Sequence, residues 1–202
     1  MLQTLSETAI EPNAIKQFSK WWQDAVNSDI DEVNAFTLAT STPDGKPSAR
    51  IVLLKGYDEN GFVFFTNYNS NKGYEMANNP QVSMVFFWKE LERQVRISGI
   101  SEKVSREESD TYFASRPEGS RIGAWASPQS AIIESRTIIE ESASMYKKKF
   151  AEQAIPRPEH WGGYRVKPML IEFWQGRPSR LHDRLQYTLQ EEGRWIIERL
   201  AP

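Results

Sequence analysis

The sequence predicts a mainly β protein with helices (α+β), built as an antiparallel barrel with helical decoration. Six to eight short segments rich in β-branched and aromatic residues are separated by Gly, Asn and Asp turn signals. The helical patterns lie before this run or late within it, whereas a parallel α/β chain would alternate them with strands. At 202 residues the chain is long enough to bury a substantial core.

Residues 1–12 lack an apolar period and end at Glu11-Pro12, so they are expected to form a loose tail before a single domain over 13–202. From 13 to 28, Ala14, Ile15, Phe18, Trp21, Trp22, Ala25 and Val26 recur at spacings that place them on one helical face. The tryptophan pair belongs to that face as packing. Residues 35–40 read as a strand, Pro43-Asp44-Gly45-Lys46 as a turn, and 48–55 as the return strand; Asp58-Glu59-Asn60-Gly61 then turns the chain into 62–66. A short helix is expected over 70–78, stopped by Asn79-Pro80, with strands at 81–88 and 94–104. Ser105 and Glu108 form a capping box that opens a helix to Ser115, and Arg116-Pro117-Glu118-Gly119 breaks it. A longer helix over 133–153 carries Lys147-Lys148-Lys149 on a solvated face, and strands close the chain at 164–166, 169–174, 181–189 and 195–199.

A formal charge of −2 argues against a nucleic-acid protein with a general basic surface, so any cationic site must be local. With no cysteine, disulfides, thiolate metal sites and thiol catalysis are excluded. No apolar run reaches transmembrane length, and the first residues lack the basic start and apolar core of a signal peptide, so a cytoplasmic protein without a membrane partner is expected. His160 has no partner at metal-ligand spacing and is expected to be structural, with no metal site. Nucleotide-binding glycine fingerprints and nucleophile elbows are missing from the sequence.

Four loci gather chemistry. Trp174 to Arg184 holds one of two histidines and three arginines; if extended after Pro178, Arg180, His182 and Arg184 share a face suited to an anionic, planar ligand. A solvated charged hairpin is the other reading. Arg50 and Lys55 bracket four aliphatic residues and, on a regular strand, face opposite sides, serving two ligands or merely flanking a buried strand. Thr66, Ser70 and Lys72 stand at a strand end just before a helix start, where free N–H groups attract phosphate, although Ser and Asn there are also plain caps. Tyr112, Arg116 and Ser120 follow at i, i+4 and i+8, with Ser120 expected from the loop after the break; phosphate binding and structural capping both suit them.

With these loci in place, the chain closely resembles the pyridoxamine/pyridoxine 5′-phosphate oxidases from about Phe36 to Pro202. The motifs are Arg50-Ile51-Val52-Leu53-Leu54-Lys55, Ser115-Arg116-Pro117-Glu118-Gly119-Ser120 with Ile122-Gly123-Ala124-Trp125, Ile171-Glu172-Phe173-Trp174-Gln175-Gly176, Arg180-Leu181-His182-Asp183-Arg184 and Arg199-Leu200-Ala201-Pro202. The resemblance implies a homodimeric split β-barrel of the FMN-binding type, with flavin at the subunit interface. It assigns FMN to Arg50 and the chain following it through Ile51, Val52, Leu53, Leu54 and Lys55, to Phe65, Thr66 and Lys72, to Gln94, Gln129 and Ser130, and to Trp174 and Arg184. The substrate phosphate falls to Lys55, Tyr112, Arg116 and Ser120, and the pyridine ring to Arg180 and His182. The implied reaction oxidises pyridoxamine or pyridoxine 5′-phosphate to pyridoxal 5′-phosphate, passing a hydride to flavin N5, with O₂ reduced to H₂O₂.

Two positions depart from the family pattern. Asn71 stands where an arginine usually precedes the lysine, which removes a charged contact to the FMN phosphate. The N-terminal segment lacks the basic, tyrosine-containing stretch that closes over the substrate in some members. The alternatives are a related FMN oxidase acting on a non-phosphorylated ring such as a phenazine precursor, which has no use for a phosphate cradle, and a non-catalytic module that binds FMN or pyridoxal phosphate.

Overall fold

The computed structural model describes residues 4–202, so Met1, Leu2 and Gln3 of the expected tail lie outside the described residues. The first helix, α1 (Ala14–Val26), is capped by Asn13, whose side chain accepts from the N–H groups of Ile15 and Lys16. Its apolar stripe drives Phe18 into an aromatic cluster with Tyr57, Phe62, Phe86 and Trp88. Trp21 packs edge-on against Phe173, so the tryptophans act as packing residues.

Strands β1 (Ala35–Ser41) and β2 (Pro47–Leu53) form a hairpin, as do β3 (Gly56–Asp58) and β4 (Gly61–Asn67). Gly45 and Gly61 turn these hairpins with positive φ. Helix α2 (Asn71–Asn78) begins at Ser70, whose hydroxyl accepts from the Gly73 N–H. β5 (Gln81–Trp88) and β6 (Arg93–Lys103) follow, then α3 (Arg106–Ser115), α4 (Glu118–Ala126) and α5 (Thr137–Lys149). β7 (Trp161–Gln175), β8 (Asp183–Leu189) and β9 (Trp195–Arg199) complete the sheet.

All pairings among the described residues are antiparallel, in the order β2-β1-β5-β6-β7-β4-β3, with β8 and then β9 added on β7. One strand makes this possible. β7 pairs β6 along most of its length, while its other edge bonds β4 over Trp161–Val166 and β8 over Leu170–Gln175. The link Leu54-Lys55 carries β2 into β3, and the Lys55 N–H donates to the Val63 carbonyl at the start of the β3–β4 ladder, which brings the end of β2 beside β4. Above that bond the two strands do not pair, and the barrel is split there.

Three expectations change. The two strands at 164–166 and 169–174 are one, because the missing N–H of Pro168 falls opposite a register shift between Ser98 and Gly99. The break after Ser115 is a junction between two helices: Pro117 holds Arg116 in extended backbone and itself precedes the first turn of α4. Ser120 therefore comes from a helix. The tail is also seated rather than loose where it is described. Leu5 is buried and Glu7 chelates Arg199, which also donates to the Leu5 carbonyl; Tyr187 donates to the Glu11 carbonyl. Single anchoring residues without a period leave no pattern to read in the sequence.

Phe18 touches every wall of its cluster and has no exposed surface. Phe18→Ala should cost about 3–5 kcal/mol in urea unfolding with an unchanged denaturant slope; a cost below 1 kcal/mol would show that the cluster collapses around the gap.

Candidate functional site

A cleft of about 660 Å³ opens where β2 and β4 part, roofed by α3 and α4. Strand alternation sorts its walls. Along β2, Ile51 and Leu53 share one face and Arg50 and Val52 the other, and the strand ends before Leu54 and Lys55. Ile51, Val52, Leu53 and Lys55 line the cleft, whereas Leu54 is buried in the core and its N–H donates to the Asn34 carbonyl.

Arg50 sits behind this wall, opposite Leu38. Its Nη2 donates to Ser48 Oγ at 2.6 Å and meets Glu75 Oε2 at 3.3 Å, and its Nη1 donates to Thr40. Burial would raise the Glu75 carboxyl, but hydrogen bonds from Thr40, Ser48 and Arg50 overcome it and hold the group below its ordinary range. Glu75 thus fixes Arg50 in one pose.

Phe65 and Thr66, at the end of β4, line the same cleft with Lys72 from α2. The Lys72 ammonium is buried and its hydrogen bonds go to two hydroxyls, Thr66 Oγ1 at 3.3 Å and Ser70 Oγ at 3.5 Å. Desolvation lowers its pKa, and the neighbouring Arg50 lowers it further, against the pull of Glu75. A buried cation held by hydroxyls at a helix start fits an anion. Gln129 reaches this cleft, and Ser130 lines the adjoining one with Asn71, whose N–H donates to Ser130 Oγ at 3.3 Å. Ser130 holds positive φ to do so.

Lys55, Tyr112, Arg116 and Ser120 also line the cleft, from the link after β2, α3, the α3–α4 junction and α4. Tyr112 stacks on Phe65 at 3.9 Å. The Arg116 guanidinium rests on Trp161 at 4.5 Å, its Nη1 is buried without a hydrogen-bond partner, and desolvation depresses its pKa. A guanidinium left unpaired in this way fits a second anion. Trp161 escaped the sequence reading. It belongs to none of the four loci, and its neighbour His160 has Nε2 3.1 Å from the Ala124 carbonyl.

The remaining residues stand elsewhere. Gln94, Trp174 and Arg184 are register partners across β6, β7 and β8, and so form one row on a single face of the sheet. Buried Glu172 aligns Arg184, accepting from its Nε at 2.8 Å and Nη2 at 3.2 Å, and also takes Arg96 at 3.1 Å. His182 lies against the Trp174 ring at 4.5 Å, and its Nδ1 accepts from the Arg177 N–H at 3.1 Å. The shared face expected for Arg180, His182 and Arg184 is corrected: Pro178–Arg180 is a tight turn, and the strand begins only at Asp183. Ser179 and Arg180 are both left-handed, which breaks the alternation. Arg180 is exposed.

One chain does not unite the two groups. Trp161 and Trp174 lie on the same strand, thirteen positions apart, or roughly 40 Å of extended chain. Within one chain the Trp174 row and the cleft therefore stand apart.

Known proteins give this arrangement a context. The family model described as "Pyridoxamine 5'-phosphate oxidase" matches residues 22–148, and "Pyridoxine 5'-phosphate oxidase C-terminal dimerisation region" matches 161–202. The pyridoxine/pyridoxamine 5′-phosphate oxidase of Trichormus variabilis is 60% identical over 201 residues, covering 100% of this chain and 94% of that protein. That of Cupriavidus necator is 55% identical, covering 100% and 95%. Among solved structures, PhzG of Burkholderia lata, in complex with tetrahydrophenazine-1-carboxylic acid, superposes with a TM-score of 0.92 at 28% identity, covering 100% of this chain and 99% of that one. A pyridoxamine 5′-phosphate oxidase-related, FMN-binding protein of Nostoc punctiforme has a TM-score of 0.73 at 16% identity over 99% of this chain, and shares the fold.

Asn71 begins α2 beside Lys72 and Ser130. Asn71→Arg should tighten FMN by about tenfold in a fluorescence titration, the worth of one charge-assisted hydrogen bond, while Lys72→Ala should weaken it at least as much. Unchanged affinity in both would remove the phosphate site from α2.

Proposed function

The chain belongs to the pyridoxamine 5′-phosphate oxidase family, and from that premise we infer that it oxidises pyridoxamine and pyridoxine 5′-phosphates to pyridoxal 5′-phosphate as an FMN-dependent homodimer. The observation that carries this reading is that one cleft is lined by two cations without a carboxylate partner, buried Lys72 held by hydroxyls and Arg116 held by rings, since a phosphorylated cofactor and a phosphorylated substrate need two cradles. FMN, when bound, supplies the hydride acceptor, and O₂ takes the electrons on to H₂O₂.

The protein's part is placement. Lys72, Thr66 and Ser130 hold the flavin phosphate, with Arg50 behind them. Ile51, Val52, Leu53 and Phe65 wall the ring, while Gln129 and, from the second copy, Gln94, Trp174 and Arg184 complete its surroundings. Leu54 serves through the backbone and core position it gives this wall. Lys55, Tyr112, Arg116 and Ser120 take the substrate phosphate. Arg180 and His182 of the second copy meet the pyridine ring. Because His182 Nδ1 accepts a backbone hydrogen bond, the neutral ring keeps its proton on Nε2 and offers it as a donor to ring substituents. The left-handed Ser179-Arg180 pair is strain of the sort retained where a side chain must be aimed.

The likeness to PhzG raises a second reading, an FMN oxidase for a non-phosphorylated ring. The four-residue cradle counts against it. A cytoplasmic location completes the proposal, supported by the charge on both phosphorylated ligands, which keeps them from crossing a bilayer unaided.

Lys55→Ala with Arg116→Ala should raise KM for pyridoxamine 5′-phosphate at least tenfold, and an unchanged KM would remove the cradle. Arg180→Ala should lower kcat while flavin content stays at one per chain; loss of flavin instead would place Arg180 at the cofactor. Mixed dimers of Arg116→Ala and Arg180→Ala chains, assayed well below the raised KM, should be more active than either variant alone, because one of their two sites is intact. No recovery would put both residues of a site on the same chain.

A further inference from the structure

Arg116 is half-buried, with Nη1 fully enclosed, and is held in an unusual manner for such a guanidinium. Its side chain has neither an ion pair nor a hydrogen bond among the described residues. Two rings contact it instead, Trp161 at 4.5 Å and Phe113 at 5.6 Å. Trp161 is itself fixed. It is 6% exposed, and its ring is nearly parallel to those of Tyr112, at 5°, and Phe65, at 11°. Arg157 fastens it to the helix that leads to Arg116: Nη1 donates to the Trp161 carbonyl at 2.5 Å, and Nε to Asp110 of α3 at 2.6 Å.

A carboxylate would also orient a guanidinium, but it would do so by occupying the N–H edge and cancelling the charge. An aromatic face fixes the plane and leaves both edge and charge available. The contrast stands within this molecule, where Arg50 and Arg184 are oriented by Glu75 and Glu172. We propose that Trp161 is a positioning residue for the substrate's phosphoryl group, holding Arg116 flat on its indole so that the N–H edge stays free for a phosphate monoester. This rests on the assignment of Arg116 to the substrate cradle. It makes Trp161 a determinant of selectivity for phosphorylated over unphosphorylated substrates, without any contact of its own to the phosphate.

The test uses the FMN-loaded dimer and the variants Trp161→Phe, Trp161→Leu and Arg116→Ala. Steady-state kinetics with pyridoxamine 5′-phosphate, competitive inhibition by inorganic phosphate, and flavin content are measured for each. Trp161→Leu should raise KM and the phosphate inhibition constant together, by about tenfold, while kcat and flavin content stay within about twofold. Trp161→Phe keeps a π face and should stay within about threefold of the parent in KM. Should the leucine variant fail to load flavin, Trp161→Met, which fills volume without a ring, takes its place. If Arg116→Ala raises KM but the ringless variant does not, the positioning role falls and the cradle stands. Equal damage from phenylalanine and leucine, or loss confined to kcat and flavin content, also overturns the role. An Arg116→Ala enzyme with unchanged KM takes down the cradle and this proposal with it.

Discussion

Strand β7 cannot lie wholly within one ring of strands. Its first half bonds β4, its second half bonds β8, and β6 accompanies both, so a single run from Trp161 to Gln175 carries the floor of the cleft at one end and the Trp174 row at the other. That length is bought by the register shift opposite Pro168, without which the missing N–H would end the strand. The two ends cannot fold back on each other, so under the assignment proposed above the parts of one site are distributed over two chains and dimerisation becomes a condition of catalysis.

Within that frame the cations divide by what holds them. Arg50 and Arg184 are tied to carboxylates that are themselves buried, Glu75 and Glu172, and are oriented but largely neutralised. Lys72 and Arg116 are given hydroxyls and rings, which impose geometry without cancelling charge. The first arrangement builds walls and the second leaves electrostatic work undone until a ligand arrives. Desolvation sharpens the difference, since each of the second pair has its pKa lowered by burial and regains favourable interaction only beside an anion.

Much of this was legible in the sequence, because periodicity and turn chemistry are local. The helix around Phe18, the Gly45 and Gly61 hairpins and the Ser70 cap are where their residues predicted them. Arg50 and Lys55 stand apart as strand alternation predicted, although the strand ends before Lys55. What was not legible depends on partners distant in sequence. Pro168 looked like a strand break because the bulge that accommodates it lies at Gly99. The condition that the chain is extended after Pro178 fails at Arg180, because two consecutive left-handed residues without glycine leave no compositional trace. Glu75 and Trp161 carry no motif, and their importance comes from the arginines that topology places against them.

The two ends of the described chain meet beside the Trp174 row. Leu5 donates its N–H to Asp183, Glu7 and Asp183 share Arg199, and the Ala201 carbonyl accepts from Arg184 at 2.8 Å. Arg184 therefore rests on two supports, Glu172 within the sheet and the Ala201 carbonyl further along the chain, so a change that displaces Ala201 loosens the Trp174 row without touching it.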